Sequence, residues 1–282
     1  MSVDAISHFL PAEWRLLETG FLDGATNMAI DEAILKATIE GIVPPTLRLY
    51  GWKPACVSLG YNQAIAEIDL ERCRRDGVDW VRRPTGGRAI LHIDELTYSV
   101  VIAQSDPRAA GGVVESYRGL SRGLVAGLQS LGLEVAQAIY QENAPQKQTL
   151  SAACFDVPSH YEITVNGRKL VGSAQMRRQG YILQHGTLPL TGDITRLVRY
   201  LAVTSEEERE RLRHKLVGRA TTLEEALGRP IGFEEAGRAI TQGFAQALKV
   251  TLRAGRLTPQ EQAWATELRA TRYANPSYTN QR

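Results

Sequence analysis

The sequence predicts an α/β protein of the α+β kind, a mixed β-sheet with surrounding helices and a helical C-terminal cap. Three observations predict it. Apolar residues recur at helical spacing in some segments and alternate at strand spacing in others. The two kinds of segment interleave until about residue 192, after which only the helical period is seen. No internal repeat or low-complexity tract divides the chain, so residues 1–282 are expected to form one structural unit.

Each element has its own signal. Asp23-Gly24-Ala25-Thr26 opens a helix through NMAIDEAILKATIEG, where Met28, Ile30, Ala33, Ile34 and Ala37 share a face and Gly41 ends the run. Pro44-Pro45 breaks the chain before TLRLYGW, an alternating strand with Leu47 and Leu49 on one face. ACVSLGY follows as a buried strand, and AIAEIDLERCRRDG as a helix closed by Gly77. VDWVRR, RAILHI and LTYSVVIAQ are three further strands, the middle one introduced by Pro84-Thr85-Gly86-Gly87. A helix over roughly 113–131 precedes a polar stretch, Gln137 to Ser151, expected to be a loop. HYEITVNG, RKLVGSAQ and GYILQHGTLPL are short strands, with Asn166-Gly167 as a hairpin turn. The remaining runs, TGDITRLVRYLA, SEEERERLRHKLVG, FEEAGRAITQGFAQAL and TPQEQAWATELRATRY, are helical. Charges of both signs at i, i+3 and i+4 make SEEERERLRHK a solvated helix face rather than a binding surface.

Composition narrows the function classes. Hydrophobic residues are 43% and charged residues 23% of 282, an ordinary globular balance. The 33 basic and 31 acidic side chains leave +2, which gives no reason to expect nucleic acid as a partner. No eighteen-residue apolar window is present, so no membrane span is expected. The opening MSVDAISHFLPAEWRLLE, with Asp4, Pro11 and Glu13, lacks the form of a signal peptide, and a cytoplasmic location is expected.

Three cysteines, an odd and sparse set, argue against a disulfide framework and a four-cysteine zinc site; no metal is expected. Cys56, between Ala55 and Val57 on a core strand, reads as a small buried hydrophobe. Arg72, Arg74 and Arg75 beside Cys73 favour a thiolate, but a helix C-terminus disfavours an anion, and Cys73 reads as a surface residue. Cys154 lies in SAACFDVPSHYE, past the polar stretch and before Pro158, where a scaffold presents reactive groups. Asp156 would raise its pKa, so activation must come from elsewhere in the fold. If HYEITVNG pairs with RKLVGSAQ, Lys169 folds back toward the start of the hairpin, which makes it the candidate partner for Cys154. These residues alone leave Cys154 open between a nucleophile and a structural thiol.

Four runs in order, RRPTGGRAILH at 82–92, ACFDVPSHYE at 153–162, GRKLVGSAQ at 167–175 and ILQHGTLPL at 182–190, carry a resemblance. With MAIDEAIL and LRLYGWKPACVSLGYNQ, they resemble the biotin/lipoate protein ligase superfamily, most closely its cysteine-dependent octanoyltransferases of lipoate assembly. The similarity covers roughly residues 14–275 and implies a catalytic domain at 25–250 with a helical cap at 251–282. It implies transfer of an octanoyl group from octanoyl-acyl carrier protein to a lysine of a lipoyl domain, such as the glycine cleavage H protein.

In that resemblance Cys154 carries the acyl group as a thioester and Lys169 lowers the pKa of its thiol. A thiol of pKa about 8.5 is only a few per cent thiolate at neutral pH, and lowering it by about 1.5 units makes roughly half reactive. Exchange between thioesters needs no nucleotide; the acyl-phosphopantetheine thioester is substrate, and no cofactor is expected. Thr85, Gly86 and Gly87 would form the wall and floor of an acyl pocket, with Arg82 and Arg83 facing phosphopantetheine or an acidic carrier. Burying seven carbons at about 0.8 kcal/mol each supplies around 5–6 kcal/mol. Backbone groups near Cys154 or at Gly172, Ser173 and Ala174 are the candidate oxyanion donors. Gln175 and Gly186 lie on the same matching segments. For His92 and His185, structural hydrogen bonding and proton transfer both stay open.

The rival on this fold is an ATP-dependent lipoate–protein ligase, with a run like RRxxGGGxVxHD. Here Arg88 stands at the third glycine and Ile93 separates His92 from Asp94, which counts against adenylate binding. An amidotransferase between lipoyl domains would use the same cysteine chemistry. A monomer is expected, with no membrane partner.

Overall fold

The structure, a computed structural model, describes residues 9–139 and 161–281. Its centre is α1 (Gly24–Ile39), begun by the Asp23 carboxylate, which accepts from the Thr26 N–H at 2.9 Å. Twelve of its sixteen residues are buried, so both faces of this helix are packed.

The strands are β1 (Ala12–Leu22), β2 (Thr46–Trp52), β3 (Cys56–Leu59), β4 (Asp79–Arg82), β5 (Ile90–His92), β6 (Glu95–Ala103), β7 (Ala136–Ile139), β8 (Tyr161–Val165), β9 (Arg168–Arg178), β10 (Tyr181–Pro189) and β11 (Val250–Ala254). Eight form one sheet in the order β11-β1-β2-β6-β10-β9-β8-β7, and β4-β3-β5 form a second of three strands. The pairs β11–β1 and β1–β2 are parallel, as is β3–β4; the other pairs are antiparallel.

Period-two alternation sorts the main sheet into two cores. Leu47, Leu49, Leu96, Tyr98, Val100 and Ile102 face α3 (Val113–Ser130) and α6 (Phe233–Leu248). Tyr50, Trp52, Val101 and Leu183 face α1. A third cluster joins the small sheet to α2 (Leu70–Asp76), α4 (Glu206–Arg219) and a 3₁₀ turn at Ile194–Tyr200. The chain then runs through α5 (Leu223–Leu227) and, after β11, through α7 (Pro259–Leu268), a π turn at Arg269–Tyr273 and α8 (Pro276–Thr279). Glu261 of α7 is fully buried and takes both terminal nitrogens of Arg15, at 2.8 and 2.5 Å, tying the C-terminal segment to β1.

The mixed sheet with helices is as expected from the sequence. Several details differ. β1 was not anticipated, since its burial is irregular and its pairing with β2 shifts register between Glu18 and Phe21. β11 interrupts the region expected to be wholly helical; only Val250 of its five residues is buried, so alternation is faint. The helix expected up to Gly77 is a 3₁₀ turn at Ile65–Glu67 and then α2, restarted by the Asp69 cap on Arg72 N–H. The polar stretch begins with strand β7 paired to β8, and residues 140–160, Cys154 included, lie outside the described residues. Cys73 is buried, not exposed: Arg72 and Arg74 turn away to Asp76 and Glu71 while the thiol faces the third cluster.

Helices α3 and α6 meet backbone to backbone. A Cβ on Gly243 would lie 2.2 Å from Gly127 N and 2.3 Å from Gly123 O, atoms that cannot swing aside. Gly243→Ala should therefore destabilise the fold by about 1–3 kcal/mol, read as a lower denaturant midpoint.

Candidate active site

The small sheet and residues 83–88 lie over the α1-facing side of the main sheet and leave a cavity of about 160 Å³. One water needs about 10–15 Å³, so this space is ligand-sized. Its apolar wall is Met28, Tyr50, Trp52 and Ile90, and the opposite strip is Gly172, Ala174 and Gly186 on β9 and β10. The small residues create the room. A Cβ on Gly186 would lie 2.4 Å from Ser173 Oγ.

Below the cavity runs a buried polar network. Asp31 of α1 accepts from Arg48 at 2.7 Å, Ser99 at 2.9 Å and Tyr50 at 2.9 Å. His185 Nδ1 lies 3.2 Å from the same carboxylate, and its Nε2 lies 2.7 Å from Thr85 Oγ1. Because an ionised carboxylate only accepts, Nδ1 carries the proton and Nε2 accepts from Thr85. Burial alone would raise the Asp31 pKa, but Arg48 and His185 outweigh it and hold the carboxyl below its usual value. Burial dominates at His185 and lowers its pKa despite Asp31, with Arg83 and His92 adding to the effect.

A second unit of the same form faces the cavity from β5. His92 Nδ1 lies 2.8 Å from Glu95 Oε1, and Nε2 lies 2.7 Å from Ser58 Oγ. The Glu95 carboxylate also accepts from Thr97 and Thr187. Trp52 stacks on the His92 ring at 3.9 Å and donates to Thr97 at 2.8 Å.

Residues 83–88 are drawn together by one guanidinium. Arg83 donates to the carbonyls of Ser58 at 2.9 Å, Gly86 at 2.8 Å and Arg88 at 2.8 Å, and to Ser58 Oγ at 3.1 Å. Gly87 has φ +94°, and its carbonyl oxygen would sit 1.9 Å from a Cβ on Gly60, so the two turns touch along their backbones. Arg88 lines the cavity and reaches Glu67 with two contacts of 3.1 Å.

Of the residues expected at the site, Arg83, Gly87, His92, Gly172, Ser173, Ala174, His185 and Gly186 all line this cavity. Thr85 sits behind it on His185, and Gly86 is exposed beside Gly87. Gln175 is not part of the lining; its amide donates to Ser116 and Gln184. Arg82 is also elsewhere. Fully buried, it donates to the carbonyls of Gly60, Tyr61 and Gln63 on one side and of Thr279 and Gln281 on the other. Arg82 is buried against main-chain oxygens, whereas Arg83, held by carbonyls in the same way, lines the cavity.

Lys169 lies on the expected hairpin, whose turn has Asn166 at φ 50° and Gly167 at φ 75°. It is buried, outside the cavity lining, with Nζ 2.8 Å from Glu162 Oε1. Cys154 is outside the described residues. The other two thiols are poor nucleophiles. Burial, aided by Asp79, pushes Cys56 well up, and burial with Asp69 and Asp76 pushes Cys73 up to about 11.

Asp31, Arg48, Ser58 and Glu95 were not foreseen. Asp31 and Arg48 had a signal: each is a charged residue inside a segment otherwise patterned for burial, MAIDEAIL and TLRLYGW. Among the described residues, no three His, Cys, Asp or Glu side chains gather as a metal-ligand set, and no helix is long and apolar enough to cross a membrane.

Residues 23–245 match the lipoyl protein ligase A/B catalytic domain, and the chain belongs to that family. It is 48% identical over 260 residues to octanoyltransferase LipM of Kyrpidia tusciae, covering 91% of this chain and 95% of that one. The LipM of Symbiobacterium thermophilum is 47% identical over 267 residues, 94% and 97% of the two chains. Among solved structures, a bipartite lipoate protein ligase from Thermoplasma acidophilum shares the fold with TM-score 0.79 at 23% identity, over 96% of this chain and 98% of that one.

The low pKa of His185 has a consequence for stability. An unfolded histidine takes a proton near its ordinary 6.5 while folded His185 resists it, so acid favours the unfolded chain. Stability should fall as pH drops below about 6.5, and His185→Gln should lose less Tm than the wild type between about pH 7.5 and 5.

Proposed function

We propose that this chain is an octanoyltransferase of lipoate assembly, taking an octanoyl group from an acyl carrier protein thioester and delivering it to a lysine of a lipoyl domain. The observation that carries the reading is identity of 47–48% with LipM octanoyltransferases along nearly the whole of both chains. The lipoyl-domain acceptor is supported by the solved lipoate ligase of Thermoplasma acidophilum, described with its E2 lipoyl domain. An acceptor such as the glycine cleavage H protein fits the same chemistry.

In this reading Cys154 attacks the donor thioester and holds the octanoyl group, and the phosphopantetheine thiol leaves. The acceptor amine then attacks the enzyme thioester and releases the cysteine. Both steps move an already activated acyl group, so no nucleotide takes part. The apolar wall of Met28, Tyr50, Trp52 and Ile90 suits an alkyl tail. Arg88 supports a thioester donor over an adenylate: its side chain lines the cavity where a ligase has a third glycine. Lys169 supplies an ammonium on the hairpin, held against Glu162, to favour the Cys154 thiolate.

Two measurements test this. Mixing the protein with octanoyl-acyl carrier protein and no nucleotide should give a hydroxylamine-sensitive octanoyl adduct by intact mass, absent in Cys154→Ala. No adduct, with lipoate attachment only in the presence of ATP, would promote the ligase reading. Lys169→Ala should raise the pH midpoint of Cys154 alkylation, and an unchanged profile would dismiss the lysine–thiolate coupling.

A further inference from the structure

Among the described residues, the polar side chains that line the cavity are, with one exception, turned inward on the protein. Tyr50 and Trp52 donate to Asp31 and Thr97, at 2.9 and 2.8 Å. His185 lies between Asp31 and Thr85, and His92 between Glu95 and Ser58. Thr97 and Thr187 both donate to Glu95. Ser173 accepts at 2.8 Å from Tyr98, which faces α3 and α6. The N–H groups of Arg83 all meet protein oxygens: Gly86 O from two nitrogens, Ser58 O and Oγ, and Arg88 O.

Arg88 is the exception. Its Nη1 reaches both Glu67 oxygens at 3.1 Å, and Glu67 is steadied by Gln63 Nε2 at 2.8 Å. Among the described residues, its Nε and Nη2 meet no acceptor. The side chain is 31% exposed. Gly87, Ser173 and Ala174 are the other lining residues open to solvent, so these four mark the mouth of the cavity.

We propose that Arg88 is the head-group residue of this cavity. Its Nε and Nη2 donate to the oxygen of a medium-chain acyl group at the mouth, while the tail lies along Met28, Tyr50, Trp52 and Ile90. The choice of an acyl tail rests on the octanoyl reading; how the acyl group is activated plays no part in the assignment. A guanidinium donates and never accepts, so the head must carry an acceptor, a carboxylate or carbonyl oxygen. Glu67 fixes the planar fork beforehand, so little freedom is lost when the head arrives. A dry cavity of about 150 Å³ takes a benzene ring, so about 160 Å³ suits a tail of about six to eight carbons. A second polar group farther along the tail would meet only side chains already bonded to one another, and its desolvation would go unanswered. The site reads one polar end and rejects another.

Calorimetric titration of the full-length protein with octanoate, octylammonium and octanamide tests this without any transfer step. The wild type should bind octanoate at least about tenfold more tightly than octylammonium, whose head has only donors and the wrong charge. Arg88→Met keeps the length of the side chain and removes its donors. It should weaken octanoate by about 10–100-fold, as for a hydrogen bond to a charged group, and strengthen octylammonium. Misfolding cannot produce that gain. Arg88→Lys, which keeps the charge without the fork, should return part of the octanoate affinity. Octanamide identifies the head. A parallel loss in Arg88→Met assigns the bond to the acyl carbonyl, and a loss confined to octanoate assigns it to the carboxylate. Octanoate bearing a mid-chain hydroxyl should bind about 10–100-fold more weakly than octanoate itself.

Three results overturn the proposal: unchanged octanoate affinity in Arg88→Met, wild-type octylammonium binding equal to that of octanoate, or equal binding of the hydroxylated chain. The two readings fail separately. A protein that forms the octanoyl adduct but fails these titrations loses the head-group assignment alone. One that passes them and forms no adduct keeps the assignment and loses the transferase reading.

Discussion

A single carboxylate orders much of this molecule. Asp31 sits in the middle of the central helix, with no solvent access, and collects donors from β2, β6 and β10. A charge in such a place is tolerable only when its partners are in position, because an unpaired buried ion costs several kcal/mol. Arg48 answers it from β2, the strand that follows the helix, and donates to Asn27 of the same helix at 2.7 Å. The helix can neither slide nor rotate against the sheet without stranding one of these groups. Apolar contacts alone would accept several registers; this network accepts one.

The cavity inherits that precision. His185 is held by Asp31 from below and holds Thr85 above, so the α1–sheet register is passed directly to residues 83–88. Arg83 completes the arrangement by gathering the carbonyls of the same turn around one cation. The ligand space is therefore bounded by groups whose hydrogen bonds are made before anything enters. Such walls need little reorganisation, which is where a transferase gains from being rigid.

Much of this was legible in the sequence and some was not, for identifiable reasons. α1, α3 and α6 are long enough for the helical period to declare itself, and Asn166-Gly167 gave the β8–β9 hairpin by turn chemistry alone. β1 and β11 escaped because a strand near the sheet edge need bury few residues, so little alternation remains to be read. Cys73 misled because neighbouring arginines were taken as its environment, whereas on a helix adjacent residues point different ways. The main-chain oxygens that Arg82 and Arg83 hold could not be read from the pair itself, because several are supplied by segments distant in sequence. Ser58 and Glu95 were invisible singly; the topology that places β3 beside β5 is what joins them.

The grip of Arg82 on the C-terminal segment is of a particular kind. It holds Thr279 and Gln281 by their main-chain oxygens, and on its other side it holds the turn that touches Gly87. Main-chain oxygens are present whatever side chain a residue bears. Selection acting through this contact would therefore ignore the letters of the last turn and attend to its count. Substitutions there could drift freely, while a single inserted or deleted residue would move the oxygens off the guanidinium and be felt at the rim of the cavity.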